Sequence, residues 1–209
     1  MIDIPLLFAF IAAAFVLTIT PGVDTALVLR AATMGGRKPA AMAGLGVVLG
    51  CLIWGAAVSL GLGAILQASE VAYNIVKFVG AGYLVLQGIK LLRAPRQKIS
   101  VDEEQNRKTS SREAFLKGFI TNILNPKVGV FYITFLPQFV PAGANIAAYS
   151  FMLACVHVLL SFAWFAILIM ATVPLGQFLR RPAAVKWLDR LTGFVFIAFG
   201  LKLAASSSR

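Results

Sequence analysis

Two short polar stretches interrupt apolar runs of this chain, and they hold the residue types that could bind a small charged molecule. They are Thr20-Pro21-Gly22-Val23-Asp24-Thr25 and Asn122-Ile123-Leu124-Asn125-Pro126-Lys127, with prolines 105 residues apart. Proline lacks an N–H and clashes with the turn before it, so each stretch breaks a helix. In hydrocarbon a break leaves carbonyls unpaired, and a charge there costs about 2.5–3.5 kcal/mol on insertion scales. Such breaks persist where they line a cavity. Matched breaks in two halves of one chain point to a transporter's binding site.

Each residue of the two breaks has a chemical reading and a structural one. Asp24 offers a carboxylate to an ammonium group or a proton, or it caps the helix that resumes after Pro21-Gly22. Lys127 lies about 15 Å of helix rise from Lys117, too deep for easy snorkelling. Beside the half-helix start at Asn125-Pro126, its ammonium would receive a carboxylate. The alternatives are an ion pair with Asp24 or a shifted span that leaves Lys127 at the interface. Thr20, Thr25, Thr121, Asn122 and Asn125 could complete a polar site, or could satisfy carbonyls freed by proline. Pro21, Gly22 and Pro126 are the helix-break residues. The single histidine, His157, has an unperturbed pKa of about 6.5 and could relay protons with Asp24; the alternative is a packed histidine bonded to a neighbouring helix.

The remaining chemistry is sparse. Cys51 and Cys155 occupy equivalent places in the two halves, which raises a membrane thiol or electron carrier. Neither belongs to a CxxC pair or sits beside a basic residue that would activate it. A metal-ion exporter is a second alternative, disfavoured by the scarcity of carboxylates and histidines within the apolar spans. No hydrolytic, nucleotide-binding or metal-site motif occurs. The expectation is a non-enzyme with no cofactor and no bound metal.

These residues must be positioned by membrane helices. Of 209 residues, 59% are hydrophobic and 13% charged, and the mean hydropathy is +0.86. A soluble domain carries about 25% charged residues. A span needs about 20 apolar residues. Six segments qualify, at roughly 4–29, 40–66, 71–92, 115–140, 146–174 and 186–205. The sixth opens on Lys186, Asp189 and Arg190; the long basic side chains of Lys186 and Arg190 can snorkel. The net charge of +11 does not indicate nucleic acid, because the basic residues cluster in a few links. Fifteen lie in the links after spans 1, 3 and 5; Lys77, Lys202 and Arg209 lie on the other side. The positive-inside rule then puts those links in the cytoplasm and both termini on the periplasmic side. The N-terminus lacks the basic region of a signal peptide, so the first segment reads as a retained helix.

The expected fold is an all-α integral membrane protein: six transmembrane helices, as two inverted three-helix repeats with broken first helices. It forms one transmembrane domain over residues 1–209. The halves are about 1–93 and 114–209, joined by a polar cytoplasmic linker at 94–113. Three spans per half is an odd number, so the second half inverts. Gly46 and Gly50 form a GxxxG pair, expected to let helices approach closely within the subunit. A homo-oligomer is compatible with this pattern.

At these residues the chain resembles the LysE/RhtB family of amino-acid exporters. The resemblance is carried by Thr20-Pro21-Gly22-Val23-Asp24, Gly35-Gly36-Arg37, Val76 to Leu84, Thr121 to Lys127, Phe135-Leu136-Pro137-Gln138-Phe139 and Leu188 to Gly193. It runs over nearly the whole chain. It implies export of amino acids or close derivatives across the bacterial inner membrane, powered by proton exchange. The implied partners are a small amino acid, a proton and the lipid bilayer.

Overall fold

The computed structural model describes residues 3–68, 70–95, 110–171 and 181–205, and all regular structure among them is helical. Most of the 94–113 linker, with Arg96, Lys98, Arg107 and Lys108, lies outside the described residues. So do the end of the fifth expected span at 172–174, Arg180 and Arg209.

The first expected span is two helices. α1 (Ile4–Ile19) starts where Asp3 accepts a hydrogen bond from the Leu6 N–H, and it stops at Thr20, before Pro21. α2 (Val23–Gly35) follows at a bend of 55°. Gly36, at φ +83°, makes the turn into α3 (Arg37–Ala68). That backbone region favours glycine. α4 (Glu70–Arg93) completes the first half.

The fourth expected span is broken in the same way. α5 (Ser111–Ile123) is capped by the Ser110 hydroxyl. α6 (Pro126–Val130) begins with proline at its first position, where the missing N–H costs nothing. The bend between them is 52°. The chain then runs through a π turn (Phe131–Phe135) and a 3-10 turn (Leu136–Phe139). α7 (Ile146–Met170) is continuous and capped by Asn145; α8 (Pro182–Ala205) is the last helix among the described residues.

Among the described residues two helices are long and apolar enough to cross a membrane, Arg37–Gly61 within α3 and Ile146–Met170; each bent pair, taken as one span, brings the number to four. The sixfold expectation is therefore met in part. α4 and α8 each have 24 residues, about 36 Å at 1.5 Å per residue. Lys77, Gln87 and Lys90 in α4, and Lys186, Asp189, Arg190 and Lys202 in α8, dilute their apolar character.

Small residues set the crossings. The most extensive pairs are α3 with α5, α4 with α8, and α3 with α7. A Cβ on Gly46 would lie 2.1 Å from the Phe115 carbonyl oxygen, and one on Gly118 would lie 2.2 Å from that of Ala43. The GxxxG face thus packs α3 against α5 within one chain. Gly88 and Gly193 play the same part between α4 and α8, where added Cβ atoms would meet each other's carbonyls at 2.7 and 2.9 Å. An aromatic cluster of Phe10, Phe131, Phe135, Phe139 and Phe199 fills the space beside the π turn.

Candidate functional site

The two helix breaks meet. Asp24 sits in the first turn of α2, and Gly22 is the residue at that helix's cap position, without a side-chain cap. Asp24 therefore does not serve as the N-cap. Its Oδ2 accepts from the Asn122 amide at 3.0 Å and from the Asn125 amide at 3.2 Å. Its Oδ1 is buried and has no hydrogen-bond donor among the described residues. One oxygen is held by two amides and the other has no donor among the described residues.

The two asparagines are set by their own half of the chain. Asn122, on the last turn of α5, is fully buried. Its amide also donates to Cys51 Sγ at 3.4 Å. It reaches Asp24 because Gly50 of α3 leaves space; a Cβ there would lie 2.4 Å from Asn122 Oδ1. Asn125 caps α6, its Oδ1 accepting from the Lys127 N–H at 3.1 Å, while its amide turns to Asp24. One asparagine thereby ties the second break to the first. The free helix N–H that could have met an anion at this position is already bonded by the asparagine.

Lys127 takes up the carbonyls that the first break releases. Its Nζ donates to Leu17 O at 3.3 Å and Thr20 O at 3.4 Å. An ammonium needs such acceptors in an apolar setting. It also lies close to Gly22, whose added Cβ would be 3.9 Å from Nζ. The Thr20 hydroxyl donates to Val16 O and bonds to the Thr192 hydroxyl of α8.

Asp24 and Lys127 line one cavity with Thr20, Thr25, Gly22 and Asn125, and it has about 50 Å³ of free space. That is room for a few waters. Asn122 is not among the lining residues and donates to Asp24, which is. Pro21 is buried outside the lining. Pro126 opens α6, which is what its break requires.

His157 also faces this cavity. It is buried, its Nδ1 is 2.9 Å from the Tyr132 hydroxyl, and its ring packs 4.8 Å from Phe131. The π turn carries both aromatic residues; π turns are frequent at functional sites. Cys51 lines the cavity, whereas Cys155, two residues before His157, does not. Both are free thiols. Among the described residues no group of three His, Cys, Asp or Glu side chains gathers to hold a metal.

Sequence reasoning missed Thr18 and Ser161, which line the cavity, and Tyr132, which holds His157. A hydroxyl one turn before a break, and one four residues after a buried histidine, were the available signals. It also missed Thr192, quoted only within a motif.

Two broken helices meet at their polar breaks in a multi-helical protein whose apolar helices are long enough to cross a membrane. The LysE type translocator model matches residues 15–207, and the chain belongs to that family. It is accordingly a transporter and not an enzyme. An uncharacterized membrane protein of Bacillus subtilis, YrhP, is 30% identical over 208 residues, covering 96% of this chain and 99% of its own. The threonine efflux protein of Escherichia coli K12 is 30% identical over 194 residues, covering 90% and 91%. The leucine efflux protein of an Enterobacter species is 28% identical over 200 residues, covering 95% and 94%. No solved structure gives a significant match.

Proposed function

We propose that this chain exports amino acids or close derivatives across the bacterial inner membrane, by alternating access and in exchange for protons. Support comes from the family and from relatives named as threonine and leucine efflux proteins over nine-tenths of the chain. In this reading six spans form one domain of two inverted halves, with the 94–113 linker in the cytoplasm and both termini periplasmic. The helix pairing supports such a symmetry. Equivalent members of the two halves pair with each other, α3 with α7 and α4 with α8. The two bends differ by only 3°.

The observation that carries the reading is the half-satisfied carboxylate of Asp24 in a cavity shared with the Lys127 ammonium. A zwitterion offers the complement of both. Its α-ammonium would meet Asp24 Oδ1, and its carboxylate would draw Lys127 away from the Leu17 and Thr20 carbonyls. Asn122, Asn125, Thr20 and Thr25 position the two charges. Asp24 would exchange the coupling proton, with His157 and Tyr132 as the relay behind it. The small cavity fits a closed state, and alternating access would enlarge it.

The test is amino-acid profiling of cells that overproduce the protein and are loaded with dipeptides. The cargo should fall inside and appear outside, and Asp24→Asn or Lys127→Ala at matched membrane levels should abolish the difference. An unchanged profile with the wild-type protein would remove the export reading.

A further inference from the structure

A second and larger cavity lies on the far side of Thr20 and Lys127, with about 280 Å³ of free space. The two residues line both cavities and so form the partition between them. The larger space approaches the lower end of small-molecule pockets, about 300–1,000 Å³. Its walls are helix stripes with a four-residue spacing: Tyr83 and Gln87 on α4, and Thr192 and Phe196 on α8. Residues four apart share one helix face.

The polar groups here have a definite hydrogen-bonding sense. Thr20 spends its single hydroxyl hydrogen on Val16 O, so Thr192 must be the donor in the bond between the two threonines. Thr192 then presents only acceptor lone pairs to the chamber. Tyr83 and Gln87 make no hydrogen bond to another described residue. A phenol and an amide can each donate and accept. Among the described residues that line the chamber, Lys127 alone is charged, and its charge is positive.

We infer that this α4–α8 chamber holds the side chain of the cargo, whose carboxylate meets Lys127 at the partition while its α-ammonium reaches Asp24 in the smaller cavity, with Tyr83, Gln87 and Thr192 selecting an uncharged side chain that can hydrogen-bond. The inference rests on the amino-acid export reading. A cationic side chain in this space would face an ammonium and no carboxylate, which is selection by repulsion. A hydroxyl-bearing side chain would pair with groups that otherwise lack partners, whereas its apolar isostere would leave them unpaired.

L-threonine and L-valine form the isosteric pair that tests this, with L-lysine as the cation. The purified full chain is reconstituted in liposomes, and counterflow of each labelled amino acid is measured. The wild type should favour threonine over valine and exclude lysine. Gln87→Leu should reduce the threonine-to-valine ratio by roughly five- to tenfold, the loss of one neutral hydrogen bond. Gln87→Glu, which keeps the side-chain shape, should raise lysine relative to threonine by about tenfold. Variants that move threonine with unchanged selectivity, or that lower all three amino acids in parallel, would overturn the chamber assignment alone. A wild type that moves lysine as readily as threonine would also overturn it. A wild type that moves no amino acid would instead bring down the export reading beneath it.

Discussion

Gly50→Ala should disable the site without touching a charged residue. The added methyl would stand 2.4 Å from Asn122 Oδ1 and 2.9 Å from its Cβ and Cγ. Carbon contacts settle at about 3.5–4.0 Å, so the asparagine side chain must retreat by about 1 Å. Its amide then leaves hydrogen-bonding range of Asp24 Oδ2, from which it now stands 3.0 Å away. A hydrogen bond to a charged group is worth about 1.5–3 kcal/mol, so export should fall roughly tenfold to a hundredfold. It should not vanish, because Asn125 keeps its own bond at 3.2 Å. The assay is export rate per unit of protein in the membrane, with Gly82→Ala as control, since a methyl there meets nothing within 4 Å. Asn122→Gly removes the three atoms nearest to the new methyl. The double variant should therefore be no worse than Asn122→Gly alone, and the cycle should return a coupling energy close to the whole Gly50→Ala effect. Additive losses would show that Gly50 acts through helix packing and would refute the reasoning.

Other expectations follow from the same geometry. Lys127→Met keeps the side-chain length but leaves the Leu17 and Thr20 carbonyls without their donor; export should drop at least tenfold at unchanged membrane level, read by the same assay. Gly88→Ala would put a methyl 2.6 Å from Ile197 Cγ1 and 2.7 Å from Gly193 O, prising α4 from α8. Overpacking of this kind costs about 1–3 kcal/mol, so thermal unfolding in detergent should come about 2–10 °C earlier. If protons are exchanged for cargo, an acidic exterior should speed export from loaded proteoliposomes and an uncoupler should remove the gain; equal rates with and without the gradient would exclude that coupling.

The elements that sequence revealed were those written in local chemistry. Pro21 and Pro126 cannot continue a helix, so both breaks were visible, and Asn125-Pro126 announced the start of α6 correctly. Gly46 and Gly50 announced a close crossing, though not that Phe115 and Asn122 would be the residues met. The partners of Asp24 were not legible. An acid and a base in matched breaks suggest a direct pair, yet Asp24 bonds to two amides and Lys127 to two carbonyls. Which partner wins depends on side-chain reach across the α2–α5 crossing, and no local pattern records that. The chamber was hidden for a different reason. Tyr83, Gln87 and Leu91, or Thr192 and Phe196, repeat with a spacing that serves packing equally well. Only the gap left between α4 and α8 distinguishes a lining stripe from a packed one. The charges of those two helices likewise blurred their standing as spans.

Counterflow of labelled L-threonine into proteoliposomes, compared among the wild type, Asp24→Asn and Lys127→Ala at equal incorporation, bears most directly on the interlocked breaks as the transport site. Counterflow needs no driving gradient, so it reports recognition and reorientation rather than coupling. The account predicts robust exchange by the wild type and a loss of at least tenfold in each variant. Exchange at the wild-type rate in both variants would contradict it.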